Sequence, residues 1–150
     1  MKTYRGIRFD GKISVSIFEG KRHKFVRELT PALSHGIRNH SSSGFEWGYG
    51  GSGPAQLALA ILADHFGPAE PPKVCPYCGS PLEEWRCRER ESCGYDGEKE
   101  GGKWNHIQGG IVNYQDFKFD VVAKLPRQEW MLTTEQIAQW VMAHKAEEKV

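Results

Sequence analysis

The sequence predicts an α+β fold in which a small cysteine-rich module is inserted into a larger domain. Three observations lead to this prediction. Short alternating strands surround Asp10-Gly11, a continuous apolar stretch follows Pro54, and four cysteines lie together in the middle of the chain. The main domain is expected to contain an N-terminal antiparallel β meander, a central buried helix and two C-terminal helices.

The β meander is indicated by turn residues between short apolar runs. Tyr4–Phe9 and Ile13–Phe18 flank Asp10-Gly11, which is a strong hairpin signal. A second turn at Glu19-Gly20-Lys21 leads to a third strand, Lys24–Leu29, which ends before Pro31 because the residue that precedes proline is restricted. We therefore expect three sequential antiparallel strands.

A glycine-rich segment, Gly44–Pro54, precedes the central helix, and we call it the glycine loop. Proline suits the first turn of a helix, where a backbone N–H is not needed. The residues that follow Pro54 are apolar almost all round the predicted helix, which indicates a helix deep in the core. Gly67-Pro68 is expected to end it.

The C-terminal part predicts two helices and a short strand between them. Apolar residues at helical spacing predict the first helix, which is terminated by Pro126. Trp130–Leu132 is predicted to be the strand. Thr133 with Gln136 three residues later forms a capping-box pattern. The inner stripe of the last helix is predicted to contain Ile137, Trp140, Val141 and His144.

The four cysteines have the spacing of metal ligands. Cys75-Pro76-Tyr77-Cys78-Gly79 is a C-x2-C knuckle, and Cys87 and Cys93 are separated by five residues, which is wider than the usual second gap. Four thiolates suit a structural Zn²⁺, so residues 70–103 are predicted to be an inserted zinc-ribbon-like module. The main domain would then comprise 1–69 and 104–150, with a charged linker at 97–103. A redox C-x-x-C, disulfides and another metal are the alternatives.

Charge and hydropathy exclude some classes of protein. The formal net charge is +1, but residues 1–44 contain nine Lys and Arg against three acids. This asymmetry is compatible either with an anionic partner or with a solvated hairpin face. The longest apolar run is too short to cross a bilayer, and the first residues contain no apolar leader, so we expect a cytoplasmic protein with reduced cysteines.

The glycine loop is a candidate site for a phosphate-bearing ligand such as a nucleotide. The N–H groups of Gly51, Ser52 and Gly53 would lie at a helix N-terminus, where anions bind. Trp47 or Tyr49 could stack on a base, and His40 or an arginine of the basic hairpin could supply charge. The alternative is that the glycines only allow the aromatic residues to pack beside a crowded helix. No nucleotide-binding fingerprint matches, and no group of catalytic residues can be named.

Three functions of different class remain open at this stage. The first is a non-enzymatic binding protein that captures a phosphate-bearing ligand at the glycine loop. The second is a nucleic-acid-binding module that uses the ribbon and the basic N-terminal hairpin, for which a sequence pI of 7.7 is unfavourable. The third is a protein–protein interaction factor that acts on a host complex.

The glycine loop and the helix after it also carry a family resemblance. Asn39-His40-Ser41 followed by Gly44–Leu62 resembles the signature of an uncharacterised domain of unknown function found in small bacterial and phage proteins. The segment from Tyr114 to Thr133 is similar to the same family. The resemblance implies a phage or bacterial intracellular setting and brings no activity with it, and the cysteine-rich insertion departs from it.

Overall fold

A computed structural model describes residues 1–89, 93–97 and 102–145 of the chain. Its strands are β1 (Lys2–Phe9), β2 (Lys12–Glu19), β3 (Lys24–Glu28), β4 (Leu82–Glu83), β5 (Arg86–Cys87) and β6 (Glu129–Thr133). Its helices are α1 (Ala32–Ile37), α2 (Ser52–Phe66), α3 (Tyr114–Asp120) and α4 (Thr134–His144), with 3₁₀ turns at Gly102–Trp104 and Val122–Lys124. The predicted α+β class is confirmed.

The main sheet is antiparallel, with strand order β3-β2-β1-β6. Asp10 and Gly11 both have positive φ, 52° and 74°, as the two central residues of a type I′ hairpin turn require. β6 confirms the strand predicted around Trp130 and pairs with β1 rather than with a neighbour in sequence. In that register Tyr4 lies opposite both Ile17 and Leu132, so one face of the sheet carries the core.

Helix α2 lies at the centre of the fold. Every residue from Gly53 to Ala63 is buried, which confirms the predicted buried helix. Its apolar side chains share one core with the sheet, with α3 and with α4. Gly67, at a φ of 71°, terminates the helix as predicted, because its left-handed conformation is unfavourable for other residues.

The other helices differ from prediction in three places. Helix α1 was not predicted, because it is short and has no apolar periodicity. The first C-terminal helix ends at Asp120 instead of continuing to Pro126, and a 3₁₀ turn completes the segment. The capping box of Thr133 and Gln136 is present at α4, but His144 on this helix is exposed and was wrongly placed on the buried stripe.

The two ends of the segment 70–103 lie side by side. The Ala69 N–H donates to the Lys103 carbonyl at 3.0 Å. Within this segment β4 and β5 form a two-stranded sheet. The predicted linker 97–103 falls largely on residues 98–101, outside the described part of the chain, and the division into domains at 69 and 104 stays a prediction.

Candidate metal centre and glycine loop

A tight turn carries Cys75 and Cys78, and a short strand carries Cys87. Cys75 and Cys78 flank a turn in which the Gly79 N–H donates to the Cys75 carbonyl at 2.8 Å, and Gly79 has a φ of 77°. The Tyr77 N–H points at the Cys75 sulfur, 3.4 Å away. Cys87 ends β5, whose pairing with β4 returns the chain to the first turn. The backbone alone therefore brings these sulfurs close together.

The four sulfur atoms form a compact cluster. Cys75 Sγ lies 3.5 Å from Cys93 Sγ, and Cys78 Sγ lies 3.7 Å from Cys87 Sγ. All four lie within 4.8 Å of one another, and none forms a disulfide. Sulfurs bound at about 2.3 Å to a tetrahedral metal ion are about 3.8 Å apart, so the cluster has the size of a tetrathiolate site. These residues could hold a metal ion.

Electrostatics within the cluster favour a cation. Hydrogen bonding from Ser80 lowers the pKa of Cys78 to about 6, whereas burial raises the pKa of Cys93 to about 12. Without a positive charge, four thiolates at this separation would repel one another. A bound divalent ion removes this repulsion and allows all four sulfurs to be deprotonated together.

Few apolar side chains pack around the cysteine cluster. Cys75, Cys87 and Tyr95 are the buried members, and Leu82 packs against them. The ring of Tyr77 meets that of Tyr95 edge to face at 5.0 Å. So few apolar side chains cannot stabilise a fold by themselves, and a bound metal would supply the missing stabilisation.

The glycine loop is a crowded joint at the start of α2. A Cβ on Gly51 would lie 2.7 Å from the Tyr49 ring, and one on Gly53 would lie 2.6 Å from Glu46 Cβ. Any larger residue would clash at these positions. Gly51 is the N-cap of α2, with no side-chain cap and no acidic residue in the first turn. Gly53 is therefore required by packing against Glu46, whereas the exposed Tyr49 ring could move away from a Cβ on Gly51.

Trp47 is an internal residue of this joint. It is fully buried, its Nε1 donates to the Arg127 carbonyl at 2.8 Å, and its ring meets Trp130 edge to face at 5.5 Å. The Arg8 guanidinium lies 5.2 Å from the ring centroid. By contrast Tyr49 is 44% exposed. The sequence could not distinguish these two aromatic residues, because Trp47 is covered by Arg127 and Trp130, which are distant in the chain.

Glu46 is committed to an ion pair. Its carboxylate accepts hydrogen bonds from Arg8, one of them at 3.1 Å, and from the Trp47 N–H at 3.2 Å. The hydrogen bond from Arg8 is the main cause that lowers the pKa of Glu46. The side chain is therefore held as a carboxylate between β1 and the glycine loop.

His40 lies beside α3 rather than within the glycine loop. Its Nε2 is 2.5 Å from the Tyr114 hydroxyl, and its backbone N–H donates to Gln56 Oε1 at 2.7 Å. Burial lowers the pKa of His40, and the positive charges of Arg38 and Lys118 lower it further. The surroundings of His40 are thus electropositive.

Gln56 is a key residue that the sequence reasoning missed. It is fully buried in α2; Nε2 donates to Ser34 Oγ at 2.8 Å and to the Arg38 carbonyl at 3.1 Å. Oε1 accepts from the backbone N–H groups of His40 and Ser41. One side chain therefore holds the segment 38–41 against α2. The available signal was a single polar residue between Pro54 and Ala63.

Of the six predicted ligand residues, four lie together. Tyr49, Gly51, Ser52 and Gly53 meet at the start of α2, and Ser52 is exposed there. His40 is connected to them through Gln56, whereas the Trp47 ring faces the core.

The basic N-terminal third is partly neutralised by acids from other elements. Among the described residues, four of its nine cations form ion pairs: Lys2 and Arg27 with Asp64, Arg5 with Glu129, and Arg8 with Glu46. The unbalanced positive charge on residues 1–44 is correspondingly smaller than the sequence suggested.

Fold and site together define the class: an α+β domain with a four-cysteine cluster able to bind a metal ion. Residues 4–73 match the model of DUF6166, a family of unknown function, which confirms the resemblance of the glycine loop. The matched stretch runs from β1 through α2 and ends before Cys75, so neither the cysteine cluster nor the segment 114–133 lies within it. Comparisons with curated proteins and with solved structures give no match. Within the described residues, the helices are too short or too polar to cross a bilayer.

Proposed function

We propose that this chain is a non-enzymatic binding protein, that residues 74–97 are stabilised by a structural Zn²⁺, and that it captures a phosphate-bearing ligand at the start of α2. The single observation that supports the metal is the convergence of four sulfur atoms to within 4.8 Å. Zinc prefers this tetrahedral thiolate geometry, and four sulfurs leave no open position for a substrate. Thiolate ligation also suits a reducing compartment, so we place the protein in the cytoplasm.

Metal analysis of purified protein tests the zinc proposal. We expect about one zinc per chain in the native protein and far less in Cys78→Ser, because three sulfurs bind more weakly than four. Glu83→Gln, on the exposed surface of β4, is the matched control and should retain zinc. Iron in place of zinc would refute the choice of metal, and a metal-free native protein with four titratable thiols would refute the site.

The proposed ligand is phosphate-bearing because of charge and exposure at the start of α2. Helix N-termini favour anions, and the first turn of α2 contains no acidic residue that would compete. The neighbouring His40 lies in the field of Arg38 and Lys118. Tyr49 leaves an aromatic surface beside the exposed Ser52.

Ligand-dependent thermal stability tests this part of the proposal. Zinc-loaded protein is screened with inorganic phosphate, nucleoside monophosphates and the corresponding nucleosides, and a phosphate-containing compound is expected to raise Tm. Ser52→Asp should abolish the rise because it puts a negative charge at the helix start, whereas Ser52→Asn is the uncharged control. No rise with any phosphate compound would refute the proposal.

A further inference from the structure

Lys118 is a largely buried lysine that has no counter-charge among the described residues. The residue is 9% exposed on α3. Within the part of the chain that the structure describes, its Nζ has neither a carboxylate at ion-pair distance nor a hydrogen-bond acceptor. The ammonium group lies over the face of Phe119, with Nζ 3.9 Å from the ring centroid. The stem of the side chain is buried, whereas Nζ is not one of the fully buried polar atoms, so an anion can reach it.

His40 and Tyr114 lie on the same side of α3 as Lys118. Tyr114 and Lys118 are four residues apart and therefore share a helix face. The Tyr114 hydroxyl contacts His40 Nε2 at 2.5 Å, and Gln56 holds the backbone of His40. These contacts fix the imidazole near the ammonium group before any ligand arrives, and the lowered pKa of His40 favours the neutral imidazole, which can still hydrogen-bond to a ligand.

The ring of Phe119 lies between Lys118 and the glycine loop. A Cβ on Gly50 would lie 3.1 Å from Phe119 Cε1, so the backbone of the loop runs along the ring edge. The face of the same ring carries the Lys118 ammonium. The ring itself is 56% exposed, and Tyr49 beside the loop is 44% exposed. Positive charge, the N-terminus of α2 and two exposed aromatic rings therefore meet in one place.

We propose that Lys118 and His40, together with the first turn of α2, bind the phosphate of a phosphate monoester whose flat ring lies against Tyr49 and Phe119. A nucleoside monophosphate is the simplest compound of this class. The inference rests on the proposed function, that the start of α2 takes a phosphate-bearing ligand. The inference adds to the helix terminus a cation, Lys118. A charge-assisted hydrogen bond from its ammonium group to phosphate is much stronger than one from a neutral group.

Calorimetric titration of zinc-loaded protein with adenosine monophosphate, inorganic phosphate and adenosine tests the assignment. The monophosphate should bind most tightly, because phosphate lacks the ring and adenosine lacks the charge. Lys118→Met keeps an unbranched stem without the ammonium group and should weaken monophosphate binding by about tenfold or more. Lys124→Met, at an exposed lysine on the following 3₁₀ turn, is the matched control and should bind as the wild type does.

The stability of the ligand-free variant distinguishes a binding role from a structural one. If Lys118 is kept for a ligand, Lys118→Met should not lower Tm, since within the described residues its ammonium group makes no ion pair or hydrogen bond that the substitution would remove. A lower Tm with unchanged affinity would overturn the assignment and make Lys118 a packing residue. Lys118→Arg retains the charge and should bind the monophosphate if Lys118→Met does not fold.

The outcomes separate the two proposals. If wild-type protein binds the monophosphate and Lys118→Met binds it equally well, the proposed function survives and the assignment of Lys118 is wrong. If wild-type protein binds none of the phosphate compounds, both are refuted.

Discussion

Replacement of Gln56 by leucine should destabilise the protein through the loop that Gln56 holds. The substitution keeps a buried side chain of similar size but removes all four hydrogen bonds of the amide. The Arg38 carbonyl and the N–H groups of His40 and Ser41 lose their partner. Since these are backbone groups, no change of rotamer can satisfy them.

The expected loss follows from the number of groups left unpaired. Each buried polar group without a partner costs about 1–3 kcal/mol. His40 and Ser41 are only half-buried, so water can replace part of the lost bonding, and leucine gains some transfer free energy. We expect a net decrease of about 3 kcal/mol in the free energy of unfolding. For a chain of this length that corresponds to a fall in Tm of roughly 9 °C.

Urea and thermal unfolding of zinc-loaded protein measure this effect. Gln139→Leu, at an exposed position of α4, makes the same chemical change outside the network and should alter stability by less than about 0.5 kcal/mol. Amide hydrogen exchange should show lost protection at His40 and Ser41. A decrease of less than about 1 kcal/mol, or unchanged protection at these two amides, would refute the reasoning.

Three further substitutions test other parts of the structure. Gly6→Ala would place a Cβ 2.2 Å from Trp130 Nε1 and should lower the free energy of unfolding in urea by about 1–3 kcal/mol. The double variant with Trp130→Leu should recover part of this loss, and additive losses would contradict the contact. The lowered pKa of His40 means that the folded state resists protonation of this side chain. The contribution of His40 to stability is therefore present above about pH 6.5 and decreases as the pH falls. Urea unfolding of His40→Gln should show a weaker acid dependence than that of the wild type. Asp64→Asn removes the carboxylate that accepts from the Tyr4 hydroxyl at 2.5 Å, which should cost about 1–3 kcal/mol and make Tyr4 ionise at a lower pH, measured by alkaline absorbance titration. Unchanged ionisation of Tyr4 would show that burial alone raises its pKa.

The secondary structure was largely predictable because its signals are local. Asp10 and Gly11 specify a hairpin turn by themselves, and the capping box depends only on Thr133 and on Gln136, three residues later. The end of α3 was misjudged because apolar spacing continues into a 3₁₀ turn with similar periodicity. Helix α1 was missed because six residues show too little pattern.

The candidate sites were predictable to different degrees. A C-x2-C turn has to place two sulfurs close together, so the four-cysteine cluster could be anticipated from spacing. The glycine loop could be recognised as special, but the exposure of its aromatic residues could not. Trp47 is covered because β6 brings Trp130 against it, across more than 80 residues of chain.

By itself, the sequence determined the turns, the buried helix α2 and the group of four cysteines that could bind a metal ion, because each depends on residues close in the chain. The tertiary structure alone decided which polar groups have partners. Gln56 is satisfied by a loop that precedes α2, whereas Lys118 is largely buried on α3 and, among the described residues, has no carboxylate at ion-pair distance. Burial and charge pairing depend on contacts between distant segments, so neither residue could be identified before the fold was known.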